Sequence, residues 1–327
     1  MYYLGVDGGG TKTAFILINE RGKILSYYKG ASCHYLENGL DTYRQVLGKG
    51  IEKVCDKAEI KKNAITYSFL GIPCYGEVKE DTPVLEEIVR EILNSDAFEC
   101  GNDVKAGWAG SLACRSGINI VAGTGAIGFG IDENGNSARA SGWDYFCGDE
   151  GSGYWLGKKL LSLFTKEADG RVQKTPLYDI VRKELEIKND FELISVVYEE
   201  LERKRDKIAE LAFLLDKAAD KGDEKVLDIF DEAAYEHSLT VKAIINKLDF
   251  SGEKKISVSY SGGVFNIGSY ILNPFRKYLE SERVKLSKPI LKPVTGAALY
   301  AIEISEGIKP DERLISRLKE EEKKFGI

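Results

Sequence analysis

Residues 7–13, Asp7-Gly8-Gly9-Gly10-Thr11-Lys12-Thr13, bring an acid, three successive glycines and two hydroxyls into one short stretch. Glycines let a main chain approach a phosphate closely, and backbone N–H groups and threonine hydroxyls can donate to its oxygens. Asp7 ends an apolar run, and a carboxylate there suits magnesium, which dehydrates reluctantly and is usually held through water. No G-K-[ST] follows, and a strand rather than a helix comes next, so this is not a Walker loop. Three glycines in a row also exceed what a plain hairpin needs. An offset of 113 residues carries Gly10-Thr11 onto Gly123-Thr124, and the turn Asn19-Glu20-Arg21-Gly22 onto Asp132-Glu133-Asn134-Gly135. Each copy reads as strand, glycine–threonine turn, strand, polar glycine turn and third strand. Two such loops in duplicated halves point to two backbone cradles facing one ligand across a cleft, and a nucleotide polyphosphate suits them best.

Four further segments carry chemistry or its look-alike. Asp103 stands where the run ending Gly101-Asn102 hands over to a helix. Aspartate fills helix N-caps well, and the same placement suits a general base that takes a proton from a sugar hydroxyl as its oxygen attacks a γ-phosphoryl group. From the residues alone both readings stand. Gly148-Asp149-Glu150-Gly151-Ser152-Gly153-Tyr154-Trp155 opens another helix. Its acids match a helix dipole, but a carboxylate can also accept two neighbouring sugar hydroxyls while an aromatic covers the ring's apolar face. Ser261-Gly262-Gly263-Val264 is either an ordinary strand-to-helix turn or a seat for adenosine. Thr295-Gly296-Ala297-Ala298 is a weaker signal of the same kind.

The elements that must position these residues follow from periodicity. Strands are expected at 3–7, 12–19, 23–29, 65–71 and 98–102, and helices at 41–58, at 82–93 with Pro83 in its first turn, and at 104–115. The pattern restarts at Ile118 with three strands to about Ala140. A long helix follows the glycine-rich loop at 147–153. Residues 175–247 read as charged helix, with Gly222 as the main interruption, before a strand at 256–260 and final helices at 295–305 and 309–324. The run Lys319–Lys324 reads as a solvated helix face. The order β-β-β-α-β-α-β-α resembles that of a ribonuclease-H-like sheet. The expectation is therefore an α/β chain of two duplicated ribonuclease-H-like domains, 1–115 and 116–327, with a helical insertion over about 160–250 in the second.

At 327 residues there is length for about two domains. An apolar content of 43% with 30% charge is that of a globular protein. The net charge of −6 argues against a general nucleic-acid binder, which usually carries a basic face. No apolar run approaches 18 residues, and no basic stretch leads into an apolar one near the start, so neither a membrane partner nor a signal peptide is expected. Six scattered cysteines without a C-x-x-C pair suit reduced thiols in a cytoplasmic protein.

Together these segments resemble the N-acetylglucosamine kinase branch of the BadF/BadG/BcrA/BcrD ATPase family, within the actin-like sugar-kinase superfamily. The most specific part is Gly148–Trp155 with Ser141-Gly142-Trp143 before it. The resemblance implies ATP and Mg2+ as cofactors, with Gly9, Gly10, Thr11, Lys12, Thr13 and Thr124 against the phosphates, Gly262 and Gly263 at the adenosine, and Asp7 near the metal. It makes Asp103 the catalytic base and puts Gly125, Ala126, Gly142, Trp143 and Asp149 at the sugar. Where relatives carry a sugar-contacting asparagine, this chain reads Ala31-Ser32-Cys33-His34-Tyr35, and His34 takes that place. The expected activity is ATP-dependent phosphorylation of the 6-hydroxyl of N-acetylglucosamine, with N-acetylmuramic acid or glucosamine as alternatives. A homodimer is expected, with the insertion as a candidate surface. A redox activator of the same family would need paired cysteines beside the second loop for an iron–sulfur cluster, and Ala122 stands there instead. A sugar sensor without catalysis is the third reading.

Overall fold

The computed structural model describes residues 1–250, 252 and 255–327. The chain divides into two compact units, Met1–Asn119 with Lys288–Ile327, and Ile120–Ser287. In the first, β1 (Tyr2–Gly8), β2 (Thr13–Asn19) and β3 (Ile24–Gly30) form an antiparallel meander. Next come α1 (Tyr35–Lys57), β4 (Tyr67–Ile72), α2 (Thr82–Leu93), β5 (Phe98–Asn102) and α3 (Asp103–Leu112). β4 joins β1 in parallel and β5 joins β4 in parallel, giving the sheet order β3-β2-β1-β4-β5. Leu4, Val6, Phe15 and Leu17 of the sheet and Tyr43, Leu47, Ile51 and Val54 of α1 are fully buried in one core with Leu85 and Val89 of α2. α1 begins six residues earlier than its apolar spacing suggests. Gly39, at φ +80°, interrupts its first turns, where Leu36 and Leu40 are exposed and contribute no periodic burial.

The second unit repeats the plan. β6 (Gly117–Ala122), which spans the division, is followed by β7 (Ala126–Ile131) and β8 (Ser137–Ser141). Then come the helices α4 (Gly153–Ala168), α5 (Pro176–Glu184), α6 (Glu192–Ser195), α7 (Arg205–Glu210), α8 (Ala212–Ala219) and α9 (Glu224–Ile245). β9 (Ile256–Ser261), α10 (Ser269–Tyr278) and β10 (Val284–Ser287) complete it. The sheet order β10-β9-β6-β7-β8 is the first sheet's order with each strand replaced by its counterpart. The offset of 113 holds to the residue at two strand starts, Thr13 with Ala126 and Ile24 with Ser137. It holds also in hydrogen bonds. Asn19 Oδ1 accepts from the N–H groups of Arg21 and Lys23, and Asp132 Oδ1 from those of Asn134 and Asn136. Gly22 and Gly135 close the two turns at φ +73° and +84°, where glycine carries no steric cost.

The chain then returns to the first unit as α11 (Pro293–Glu306) and α12 (Glu312–Phe325). The sequence placed this segment in the second domain. Small residues account for the difference, because α11 lies against α3 and β1 almost without intervening side chains. A Cβ on Gly110 would stand 2.5 Å from Lys292 O, one on Gly296 would stand 2.6 Å from the Ala109 carbonyl carbon, and one on Gly5 would stand 2.5 Å from Val294 O. Thr295–Ala298 therefore has a packing role. The charged end of the chain is not wholly solvated either. Glu321 and Glu322 are buried, and they accept from the N–H groups of Ile24 and Lys292. No helix among the described residues is long and apolar enough to cross a membrane.

Candidate active site

In the first unit the 9–12 turn links β1 to β2, with Gly8 paired to Thr13 and the Gly9 N–H donating to Lys12 O at 2.9 Å. Gly8 is packed tightly: a Cβ there would lie 2.6 Å from Cys33 Sγ and 2.7 Å from Pro73 Cδ. Gly10, Thr11 and Lys12 are exposed, and a Cβ on Gly10 would meet nothing within 4 Å. The tip is thus open to a ligand while its base is fixed. Ser32 Oγ donates to Gly9 O at 2.7 Å, and the Cys33 N–H donates to Thr13 Oγ1 at 3.0 Å. Thr13 is fully buried, so its hydroxyl oxygen serves this tie.

Asp7 lies at the end of β1, in parallel register with Gly71 of β4. A Cβ on Gly71 would stand 3.2 Å from the Asp103 Cα, which places Asp103 beside the same strand end. The two carboxylates feel one another. Loss of water raises the Asp7 pKa to about 7, the Asp103 charge adds to that, and Lys12 opposes it. The helix cap falls to a neighbour of Asp103: Asn102 is the N-cap of α3, its Oδ1 accepting from the Val104 N–H at 3.3 Å. Asp103 occupies the first helical position instead, where a negative charge also suits the helix dipole.

His34 is the N-cap of α1. Its Nδ1 accepts from the Glu37 N–H at 3.3 Å, which leaves the ring proton on Nε2, 3.5 Å from Cys74 Sγ. The His34 backbone N–H donates to Ser32 Oγ, so the main chain at His34 is joined to the loop that ties down Gly9.

In the second unit the Gly123 N–H donates to Gly125 O at 2.9 Å, and the start of α4 clamps this loop. The Gly153 N–H donates to Gly123 O at 2.7 Å, and the Tyr154 N–H donates to Thr124 O at 3.2 Å. Thr124 is exposed and Ala126 is buried. Asp149, at φ +60° and 3% exposed, is ion-paired to Arg205 Nη2, and the Ala126 backbone favours its charged form. Burial raises its pKa, and the Arg205 charge opposes the rise. Arg205, the first residue of α7, stacks over Tyr145 at 5.5 Å from the ring centre. Gly142, at φ +71°, packs where a Cβ would meet Ile127 Cδ1 at 2.6 Å. Trp143 is 72% exposed, with the Arg139 guanidinium 6.0 Å from its ring. Gly262, at φ +103°, abuts Ala122, whereas Gly263 faces open space.

The structure thus gathers Asp7, the 9–13 loop, His34 and Asp103 in the first unit. In the second it gathers Thr124, Gly125, Ala126 and Asp149, with Gly142 and Trp143 on the loop that follows β8. Sequence reasoning missed Arg205 and His237. Arg205 lies in the run Glu202-Arg203-Lys204-Arg205-Asp206-Lys207, where nothing distinguishes it from solvated charges. His237, on α9, packs under Gly151, whose Cβ would lie 2.7 Å from the imidazole Cε1.

The BadF/BadG/BcrA/BcrD ATPase family model matches residues 4–301, and the chain belongs to that family. An N-acetylmuramic acid/N-acetylglucosamine kinase of Clostridium acetobutylicum is 32% identical, over 85% of this chain and 90% of its own. An N-acetyl-D-glucosamine kinase of Dictyostelium discoideum is 28% identical, over 92% and 97%. A solved structure from Chromobacterium violaceum, described as a candidate N-acetylglucosamine kinase, superposes with a TM-score of 0.70 at 24% identity, covering 92% of this chain and 98% of its own. That likeness shows the fold.

Proposed function

We propose that this member of the BadF/BadG/BcrA/BcrD ATPase family transfers the γ-phosphoryl group of ATP to the 6-hydroxyl of an N-acetylated amino sugar. N-acetylglucosamine is the first candidate, with N-acetylmuramic acid and glucosamine as alternatives. The observation that carries this reading is the placement of Asp103 beside Asp7 at the strand ends, where the two carboxylates interact. Its carboxylate would take the hydroxyl proton as that oxygen bonds to phosphorus and the bond to the ADP oxygen breaks. The exposed tip Gly10-Thr11-Lys12 and Thr124 supply donors and charge for the phosphates, with Gly9 and Thr13 holding the first loop's shape. Gly262 and Gly263 are the adenosine segment of this reading. Asp149 would accept sugar hydroxyls, with Gly142 and Trp143 beside it and His34 at the acetamido-sugar position that the resemblance assigns.

Magnesium fits the residues present. Among the described residues no three metal-ligating side chains cluster, and Mg2+ is normally held by one or two carboxylates, waters and substrate phosphates. Asp7, crowded by Asp103, would hold it. When bound, the ion would neutralise phosphate charge. A homodimer and a cytoplasmic setting belong to the same reading, the first supported by Phe191, Ile194 and Tyr198, all exposed on the insertion.

Asp103→Asn tests the assignment. Turnover should fall by about 10²–10⁴-fold, the usual worth of a general base, while calorimetry still registers ATP binding. Near-normal turnover would overturn it.

A further inference from the structure

We propose that Arg205 is a positioning residue for the acceptor sugar, holding the Asp149 carboxylate in the orientation that receives sugar hydroxyls. The inference rests on the amino-sugar reading above. A carboxylate has about four acceptor positions. Asp149 gives one to Arg205 Nη2, and the Ala126 backbone also favours its charged form, so acceptor positions remain for neighbouring hydroxyls. The pair is built into the second loop. A Cβ on Gly125 would overlap the Arg205 guanidinium and stand 2.8 Å from Asp149 Oδ2, so the loop leaves room for these two groups only by lacking a side chain.

The other side of the guanidinium is fixed by aromatics. Arg205 lies 5.5 Å from the centre of the Tyr145 ring, and Tyr145 meets Tyr154 of α4 edge-on at 5.1 Å. Charge balance supports the same role. Asp149 is buried, and Asp144 on the preceding loop and Glu150 beside it both favour its protonated form. Arg205 is the cation that opposes them. Without it the carboxyl would retain a proton to higher pH and lose acceptor capacity. A helix 56 residues downstream thereby sets the state of a sugar ligand.

The test uses the full chain with Arg205→Gln and Arg205→Lys. Sugar KM, ATP KM and kcat are measured with N-acetylglucosamine, N-acetylmuramic acid and glucosamine over about pH 5 to 8, where perturbed acids titrate. Arg205→Gln should raise the sugar KM by about tenfold to a hundredfold, the loss of one charged hydrogen bond. Its ATP KM should stay within about twofold, and its sugar KM should fall more steeply with rising pH than the wild-type KM does. Arg205→Lys keeps the charge but not the fork, and should raise the sugar KM less, with a wild-type pH profile. A wild-type sugar KM and profile in Arg205→Gln overturns the inference. If that variant loses ATP binding too, Arg205→Lys decides: a raised sugar KM with ATP KM kept supports the role, and an unchanged one refutes it. Absence of wild-type turnover on all three sugars strikes the function reading and the inference with it. Normal turnover with an indifferent Arg205 strikes the inference alone.

Discussion

Acidification from neutral pH to about 4 is expected to destabilise the second unit through one imidazole. His237 is 2% exposed, its ring centre 5.2 Å from that of Phe265 and 6.1 Å from that of Phe275. Its Nε2 has no hydrogen-bond partner among the described residues. Burial lowers its pKa from the ordinary 6.5 to about 4, with the Gly151 backbone opposing. The unfolded chain therefore binds a proton below 6.5 that the folded chain refuses. Stability from this group is complete above about pH 6.5, declines through the window down to about 4, and levels off below it. At about 1.4 kcal/mol per pH unit, the loss is on the order of 3 kcal/mol. That is a large share of a typical stability of about 5–15 kcal/mol. The assay is urea unfolding followed by circular dichroism at pH steps, for the wild type and for His237→Gln, which cannot titrate. Other buried acids, such as Glu167, whose pKa burial raises, are common to both proteins and drop out of the difference. On acidification the wild type should lose about 3 kcal/mol relative to the variant. A difference that stays constant with pH refutes the reasoning.

Gly125→Ala should raise the sugar KM by about tenfold, because its methyl must displace the Arg205–Asp149 pair; a sugar KM within about twofold of wild type counts against that geometry. Gly296→Ala pushes α11 away from α3. It should cost about 1–3 kcal/mol in denaturant unfolding, as overpacking does, and an unchanged midpoint would mean that the contact yields freely.

Much of the fold could be read from the residues because it is local. The strand and helix at 98–102 and 82–93 appear with the expected bounds, since a short β-rich run and a Thr-Pro start are complete signals in themselves. The duplication was visible for the same reason: its turns are Asx-type hydrogen-bond patterns written in four or five residues. What failed depends on distance. β10 is four residues of Val-Lys-Leu-Ser in a charged stretch, a strand only because β9 lies parallel to it. The return of α11 to the first unit depends on Gly110 and Gly5 meeting it, and no window of sequence holds all three.

The candidate site divides along the same line, and the division has a structural cause. In both units the connection after the third strand clamps the glycine–threonine loop. In the first, Ser32 Oγ donates to Gly9 O and the Cys33 N–H to Thr13 Oγ1. In the second, the Gly153 and Tyr154 N–H groups donate to Gly123 O and Thr124 O. The loops themselves, being glycine-rich, announce themselves in sequence, but the clamps do not. The first connection continues into one helix capped by His34, and the second into six helices, α4 to α9, that bring Arg205 and His237 to the Gly148–Gly153 loop. A duplicated glycine–threonine loop can thus acquire different neighbours in each unit without either loop altering, because the side chains that differ enter through the one connection each unit uses to hold its loop in place. On the Arg205 proposal the insertion would take part in sugar binding, and the pH profile of Arg205→Gln would measure that role separately from any contribution it makes to stability.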